Sequence, residues 1–113
     1  MNVQIFGTKK SFDSKKAERY FKERGIKYQF VDMKEKGLSK GEFNSVCQAV
    51  GGYEKLIDPK CKDKNILALV QYLSEEDKKE KILENQKIIR TPIVRNGKQA
   101  TVGYEPDVWK DWK

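Results

Sequence analysis

The chain is 113 residues long, the length of one domain, and 24 basic against 17 acidic residues give it a formal net charge of +7. It has no histidine, which excludes Ser-His-Asp and Cys-His catalytic sites and His-ligated metal centres. Its two cysteines are too few for a four-cysteine zinc or iron–sulfur site, and no apolar run reaches the roughly 18 residues of a membrane helix.

The first third of the chain has the pattern strand, helix, strand. The apolar stretch NVQIFG predicts a strand that Gly7 ends, and apolar residues then recur at helical spacing from Ala17 until a stop at Gly25. Alternation in IKYQFVDM predicts a second strand, parallel to the first because a helix connects the two. One face of that strand comprises Ile26, Tyr28, Phe30 and Asp32.

The middle of the chain, about residues 39–87, is predicted to be all helical. Ser39 and Glu42 form a capping box, and Gly51-Gly52 ends the helix that follows. Ser74 can cap a further helix, in which acids precede lysines as the helix dipole favours. The apolar stripes of the first two helices are Phe43, Val46, Cys47 and Val50, then Ile66, Leu69, Val70 and Leu73.

The last part of the chain predicts a hairpin and a helix. Asn96-Gly97 in PIVRNGKQATV is a strong hairpin signal, and Pro106 suits the first position of a final helix. Val108, Trp109 and Trp112 are expected to face inward. The order βαβ, helices, ββα predicts an α/β (α+β) domain over residues 1–113, with a mixed four-stranded, thioredoxin-like sheet and a helical insertion.

Three segments resemble the arsenate reductase (ArsC)/Spx family of thioredoxin-like proteins. They are FGTKKSFDSKKAERYFKERGIKYQFVDMKEKGLS, then KIIRTPIVRNGK, which is similar to the family's R/K-R-P-I-V-x-N-G-K, and VGYEPDVWKDW. Together they cover most of the chain outside about residues 53–85. The resemblance implies a thiol oxidoreductase that acts on a small oxyanion or thiol substrate, with glutathione and a glutaredoxin-like redox partner as co-substrates.

The sequence departs from this family at the reactive position. In the register set by Gly7 and Ala17, the family's nucleophilic cysteine falls on Ser11. The CxxC switch of Spx-type proteins is also absent, because Ser11 and Ser14 occupy its two positions. An alcohol needs a base, and no histidine is present, so Ser11 is predicted to cap a helix, with or without contact to an anion, rather than to act as a nucleophile.

The candidate site lies at the start of the first helix. Lys10, Lys15 and Arg90 are the candidate oxyanion ligands, although a solvated surface charge is the alternative for each lysine. The family's arginine before the proline is replaced by Thr91. The resemblance implies that Pro92 is cis and directs the Thr91 backbone at the site, where it can dock an extended peptide or glutathione; an ordinary edge-strand proline is the alternative.

The two cysteines are predicted to differ. Cys47 lies on the apolar stripe of its helix and is expected in the core. Cys61 lies among lysines and is expected to be exposed, either as an ordinary surface cysteine or as a resolving thiol.

Three functions follow from the sequence. The first is a redox enzyme of the arsenate reductase type whose nucleophile is lost or replaced. The second is a protein of the same family with another thiol or anion substrate. The third is an Spx-like regulator that binds RNA polymerase. In this case the helix end at Gly51-Gly52 can present the binding surface. Interleaved charges and scarce arginine disfavour nucleic acid. We expect a cytoplasmic monomer without a bound cofactor or metal.

Overall fold

The computed structural model describes residues 1–112 and contains four strands and five helices within them. The strands are β1 (Val3–Gly7), β2 (Tyr28–Asp32), β3 (Ile93–Asn96) and β4 (Gln99–Val102). The helices are α1 (Phe12–Glu23), α2 (Lys40–Val50), α3 (Lys64–Gln71), α4 (Glu75–Glu84) and α5 (Pro106–Trp109), and 3-10 turns span Tyr53–Leu56 and Gln86–Ile88. The insertion between β2 and β3 is therefore helical, as predicted.

The strands form one mixed sheet in the order β2-β1-β3-β4. β1 and β2 are parallel, which confirms the prediction from the helical crossover between them. β1 and β3 are antiparallel, with Phe6 opposite Ile93, and β3 and β4 form the predicted hairpin. The carboxyl end of β1 consequently meets the start of β3 at one end of the sheet.

One face of the sheet is covered by α1 and α5 through an aromatic core. The ring centroids of Tyr20 and Phe21 lie 5.2 and 5.1 Å from that of Trp109. The Trp109 indole nitrogen donates a 2.7 Å hydrogen bond to the Thr101 hydroxyl, which satisfies its polar group in the interior. Trp112 is also buried in this cluster, as predicted.

The helical insertion covers the other face of the sheet, so the more buried side of β2 differs from the one predicted. Val31 is its most buried residue and packs with the insertion, whereas Tyr28 and Phe30, on the face predicted from alternation, are only partly buried against the aromatic core. Both faces of β2 are covered because the sheet lies between two layers of helices. Alternation identified the strand but missed its more buried side.

The start and end signals of α2 formed as predicted. The Ser39 hydroxyl accepts the Glu42 amide at 3.2 Å, and the Glu42 carboxylate accepts the Ser39 amide at 2.8 Å. Gly51 ends the helix in the left-handed region at φ 91°. The Ser74 hydroxyl caps α4 by accepting a hydrogen bond from the Asp77 amide.

Three predicted details were wrong. Leu69 is 43% exposed, because α3 packs through Ile66, Leu67 and Val70 instead. Val108 is 42% exposed, because α5 is a single turn that buries Trp109 alone among its residues. An isolated bridge pairs Ile57 with Ile89, although residues 39–87 were predicted to be all helical.

The hairpin loop lies one residue later than Asn96-Gly97. Asn96 ends β3 opposite Gln99, so the two loop residues are Gly97 and Lys98. Gly97 has φ 61° and Lys98 does not have a positive φ, as in a type II′ turn. The Asn96 side chain is held in the sheet instead, where it accepts from the Asn2 amide and donates to Gln99.

Candidate functional site

The candidate site lies where β1 ends and β3 begins. Because Phe6 stands opposite Ile93, the chain after Gly7 and the Thr91-Pro92 pair occur at the same end of the sheet. The Thr91–Pro92 peptide bond is cis, which confirms the prediction made from the resemblance. The Pro92 carbonyl accepts a 2.8 Å hydrogen bond from the Gly103 amide, so the chain after β4 joins this end of the sheet too.

Ser11 is the N-cap of α1. Its hydroxyl accepts the Ser14 amide at 3.2 Å, and its carbonyl accepts the Lys15 amide at 3.1 Å. Within residues 1–112 the amides of Phe12 and Asp13, the first two of the helix, have no acceptor. The predicted cap is therefore present, and two backbone donors beside it can bind an anion.

Ser14 is buried and does not present its hydroxyl at the surface. Its oxygen accepts the Thr8 amide at 3.3 Å, which ties the first turn of α1 to the segment leaving β1. A side chain on Gly7 would collide with this hydroxyl. The second position of the Spx-type motif is thus occupied here by a group that holds the loop in place.

The three predicted cations are exposed around this end of the sheet and form no ion pair within residues 1–112. Lys10 belongs to the turn before the helix. The Lys15 ammonium lies 6.0 Å from the centroid of the Phe12 ring. The Arg90 amide donates to the Leu56 carbonyl at 2.7 Å. The Arg90 guanidinium lies close to Gly103, since a Cβ added to this glycine would be 3.5 Å from a guanidinium nitrogen.

Sequence reasoning missed the aromatic side chains beside this site. Phe12, immediately after Ser11, is 79% exposed, and Tyr104 is 39% exposed. The Lys16 ammonium lies 5.6 Å from the centroid of the Tyr104 ring. The i, i+4 spacing of Phe12 and Lys16 places them on one face of α1 and is the signal that could have identified this surface.

The two cysteines occupy different environments. Cys47 is buried in the core as predicted, and burial raises the pKa of its thiol. Cys61 is half-buried rather than exposed, because it packs against the core of the insertion and its Sγ lies 3.6 Å from the Lys87 carbonyl oxygen. It borders an open depression of about 760 Å³ among Lys60, Lys62, Lys64 and Lys87. Asp63 forms a 2.7 Å ion pair with Lys87 there.

Neither a metal centre nor a membrane span is found in the part of the chain that the structure describes. No group of three or more Cys, Asp or Glu side chains in residues 1–112 is placed to hold a metal ion. None of the helices in this range is long and apolar enough to cross a membrane.

Comparison with known proteins finds one family model and several solved structures that are similar to this chain. The ArsC family model matches residues 6–112 of the chain. An arsenate reductase from Vibrio cholerae has a similar fold, with a TM-score of 0.82 at 25% identity, covering 96% of this chain and 94% of that one. An ArsC-family-related protein from Bacteroides fragilis gives a TM-score of 0.86 at 18% identity, covering 100% of this chain and 98% of that one.

A third structure, an arsenate reductase (ArsC) related protein from Brucella melitensis, gives a TM-score of 0.65 at 22% identity, covering 99% of this chain and 94% of that one. No curated protein matches the sequence. The fold is thus the thioredoxin-like α/β arrangement that the order of elements predicts.

Proposed function

The chain belongs to the ArsC family, and from that premise we propose that the start of α1 is an arsenate-reductase-type site for a small oxyanion or thiol substrate. The supporting observation is the geometry of Ser11, which caps α1 beside two unpaired amides at the end of the sheet shared with Thr91 and Pro92. In the reductases that the sequence resembles, this position holds the nucleophilic cysteine. With serine there, the site binds substrate without carrying out thiol chemistry.

The loss of activity has a physical reason. A thiol at a helix N-terminus ionises readily because the amide dipoles stabilise the thiolate. An alcohol needs a general base instead, and the chain has no histidine. Ser11 therefore preserves the cap and the shape of the site but not the nucleophile.

A cysteine at position 11 would supply the missing step. Its thiolate would displace one oxygen of bound arsenate, which leaves as water, and would form an S–As bond. Oxidation of two thiols to one disulfide provides the two electrons that reduce As(V) to As(III). Glutathione is the proposed second thiol, and a glutaredoxin-like protein regenerates the cysteine. Lys10, Lys15 and Arg90 are the proposed oxyanion ligands.

The decisive experiment installs the thiol. We expect Ser11→Cys to consume NADPH in an arsenate assay coupled through glutathione, glutaredoxin and glutathione reductase, and the parent chain not to do so. Ser11→Ala is the matched control, since it alters the same position without adding a thiol. A second control, Ser11→Cys with Cys61→Ser, should keep the activity if position 11 alone carries it.

The same variant separates arsenate from other substrates. If Ser11→Cys gains no arsenate turnover, arsenate is rejected as the substrate. The variant is then assayed with a glutathione mixed disulfide in place of arsenate, because a thiol substrate needs the same nucleophile but no oxyanion ligands. Turnover there would assign the site to a thiol, and no turnover of either would reject an oxidoreductase site.

A second candidate function is an Spx-like regulator that binds RNA polymerase. It is favoured by an open groove of about 620 Å³ at the end of α2, lined in part by Gly51, Gly52, Gln48 and Glu54. Such contact needs no thiol, so Ser11 does not oppose it. The test is retention of the chain on the immobilised carboxyl-terminal domain of the polymerase α-subunit. Glu54→Lys should weaken the retention and Glu35→Lys, outside the groove, should not; no retention of the parent rejects this function.

A further inference from the structure

A second surface feature runs along α1, away from the capped end. It is a groove of about 370 Å³ between α1 and the chain that enters α5. Its lining combines aromatic rings with a predominance of positive charge. The residues that line it include Lys16, Arg19, Tyr20, Glu23, Arg24 and Tyr104.

Two of the three positive charges of the groove lie over aromatic rings, and all three are without an ion-pair partner within residues 1–112. The Arg24 guanidinium lies 3.7 Å from the centroid of the Tyr20 ring and donates to the Tyr20 carbonyl at 3.2 Å. Lys16 lies over Tyr104. With Arg19 these make three cations against the single carboxylate of Glu23, and none of the three forms an ion pair within residues 1–112. Their charge is available to a ligand.

The aromatic wall of the groove is rigid. Tyr104 packs edge-on against the buried Trp109, with ring centroids 5.5 Å apart, and Tyr20 contacts the same indole at 5.2 Å. Rings fixed in this way lose little conformational freedom on binding. Tyr and Arg are also enriched among the residues that dominate the binding energy of protein interfaces. The exposed ring of Phe12 lies on the same face of α1, one turn before Lys16.

We propose that this groove docks an acidic segment of a partner protein, in which carboxylates flank an apolar side chain. The carboxylates match the excess of cations, and the apolar side chain matches the partly exposed Tyr104. A nucleic acid fits less well, because phosphate tracking needs an unbroken positive stripe and Glu23 interrupts this one.

The proposal goes beyond the proposed function and is tested without it, since binding can be measured on the parent chain with Ser11 in place. The probe is a fluorescein-labelled peptide of glutamates around a central leucine, followed by fluorescence anisotropy. A peptide with lysine in place of each glutamate is the charge control. A labelled oligothymidylate of the same length tests for nucleic acid.

Two variants of equal charge change separate the groove from the overall charge. Lys16→Glu with Arg19→Glu reverses two groove cations, whereas Lys60→Glu with Lys98→Glu reverses two exposed lysines outside it. We expect the first pair to weaken peptide binding at least about tenfold and the second to leave it within about twofold at the same salt concentration. Amide chemical-shift changes in isotope-labelled parent protein should map to residues 16–24, 104 and 105.

The folded state of each variant is checked by circular dichroism, and Arg19→Lys serves as a variant that keeps the charge and should keep the binding. Absence of peptide binding by the parent would overturn the proposal. Equal loss in both double variants would also overturn it, because net charge would then explain the effect. Tighter binding of the oligothymidylate than of the peptide would assign the groove to nucleic acid instead.

Discussion

The Ser14 hydroxyl accepts a 3.3 Å hydrogen bond from the Thr8 amide, and this contact joins the first turn of α1 to the end of β1. The approach is close enough that Gly7, the last residue of β1, has no room for a side chain. Ser14 also donates its own amide to the Ser11 hydroxyl. Ser14 therefore links the end of β1, through its hydroxyl, to the N-cap residue Ser11, through its amide.

The first prediction tests this contact through Gly7→Ala. The new Cβ would collide with the Ser14 hydroxyl and lie 2.9 Å from the Ser14 Cβ. Overpacking of this kind costs roughly 1–3 kcal/mol, so the midpoint of urea unfolding should fall with an unchanged slope. Gly41→Ala is the matched control, because nothing lies within 4 Å of a Cβ there.

The same contact predicts that Gly7→Ala and Ser14→Ala are coupled. Ser14→Ala alone should destabilise the chain, because it leaves the Thr8 amide without its acceptor. It also removes the oxygen that the new methyl group meets. The double variant should therefore lose less free energy of unfolding than the sum of the single losses, and strictly additive losses would contradict the contact.

The second prediction concerns the acidity of a thiol at position 11. In Ser11→Cys we expect a thiol pKa below the ordinary value of about 8.5, because the thiolate would lie at the positive end of α1 near unpaired amides. Thiolate absorbance in the ultraviolet as a function of pH measures this, in a chain that also carries Cys61→Ser. A pKa at or above about 8.5 would remove the electrostatic basis of the proposed site.

The same measurement assigns the lysines. Lys10→Gln and Lys15→Gln should each raise the thiol pKa of Ser11→Cys, because each removes a positive charge that favours the thiolate. Lys98→Gln, at the tip of the hairpin, is the matched control and should leave it unchanged. If all three substitutions shift the thiol pKa by the same amount, then Lys10 and Lys15 are ordinary surface charges.

Features set by neighbouring residues were predictable from the sequence. The capping box at Ser39, the left-handed stop at Gly51 and the cap at Ser11 each involve residues only a few positions apart. Their physics is local, since a hydroxyl accepts from an amide three residues on and glycine adopts positive φ without steric cost. The cis bond before Pro92 was predictable only through the family resemblance.

Individual side-chain contacts between residues far apart in the sequence were not predictable, although the strand pairing was. Glu42 was identified as a capping residue, but its second oxygen lies 3.7 Å from Arg95 of β3, a partner 53 positions away that only the packed fold reveals. The burial of Val31 rather than Phe30 likewise follows from the second layer of helices. The groove along α1 combines residues of the first helix with Tyr104, so the spacing within the helix indicates only one of its two walls.

The third prediction is a dependence of stability on pH through Asp63 and Lys87. The hydrogen bond from Lys87 and that from the Ile66 amide hold the pKa of Asp63 below its usual value, and Asp63 raises the pKa of Lys87. The stability from Asp63 is present above its unfolded pKa and is lost as pH falls through its folded pKa. That from Lys87 is present below its unfolded pKa and is lost as pH rises through its folded pKa.

Asp63→Asn should therefore flatten the acid limb of the stability profile, measured by urea unfolding from neutral to acidic pH. The asparagine can still cap α3, so the comparison isolates the charge rather than the helix start. Asp111→Asn, an exposed change elsewhere, should leave the acid limb as in the parent chain. An acid limb equally steep in Asp63→Asn and parent would show that other carboxylates carry it.

The fourth prediction is that the two cysteines differ in reactivity toward an aromatic disulfide reagent. The thiolate is the species that reacts with the disulfide. Cys47 is only 6% exposed, and this burial both raises the pKa of its thiol and shields the sulfur from the reagent. Cys61 is half-buried at an open depression and should react first. Cys61→Ser should then remove the fast phase of the reaction, and Cys47→Ala should remove the slow phase. The rate of the slow phase should rise steeply in urea, because the reagent reaches Cys47 only when the core opens. A fast phase that survives Cys61→Ser would mean that α2 opens readily in the folded chain, contrary to the burial of its residues Phe43 and Val46 in the core.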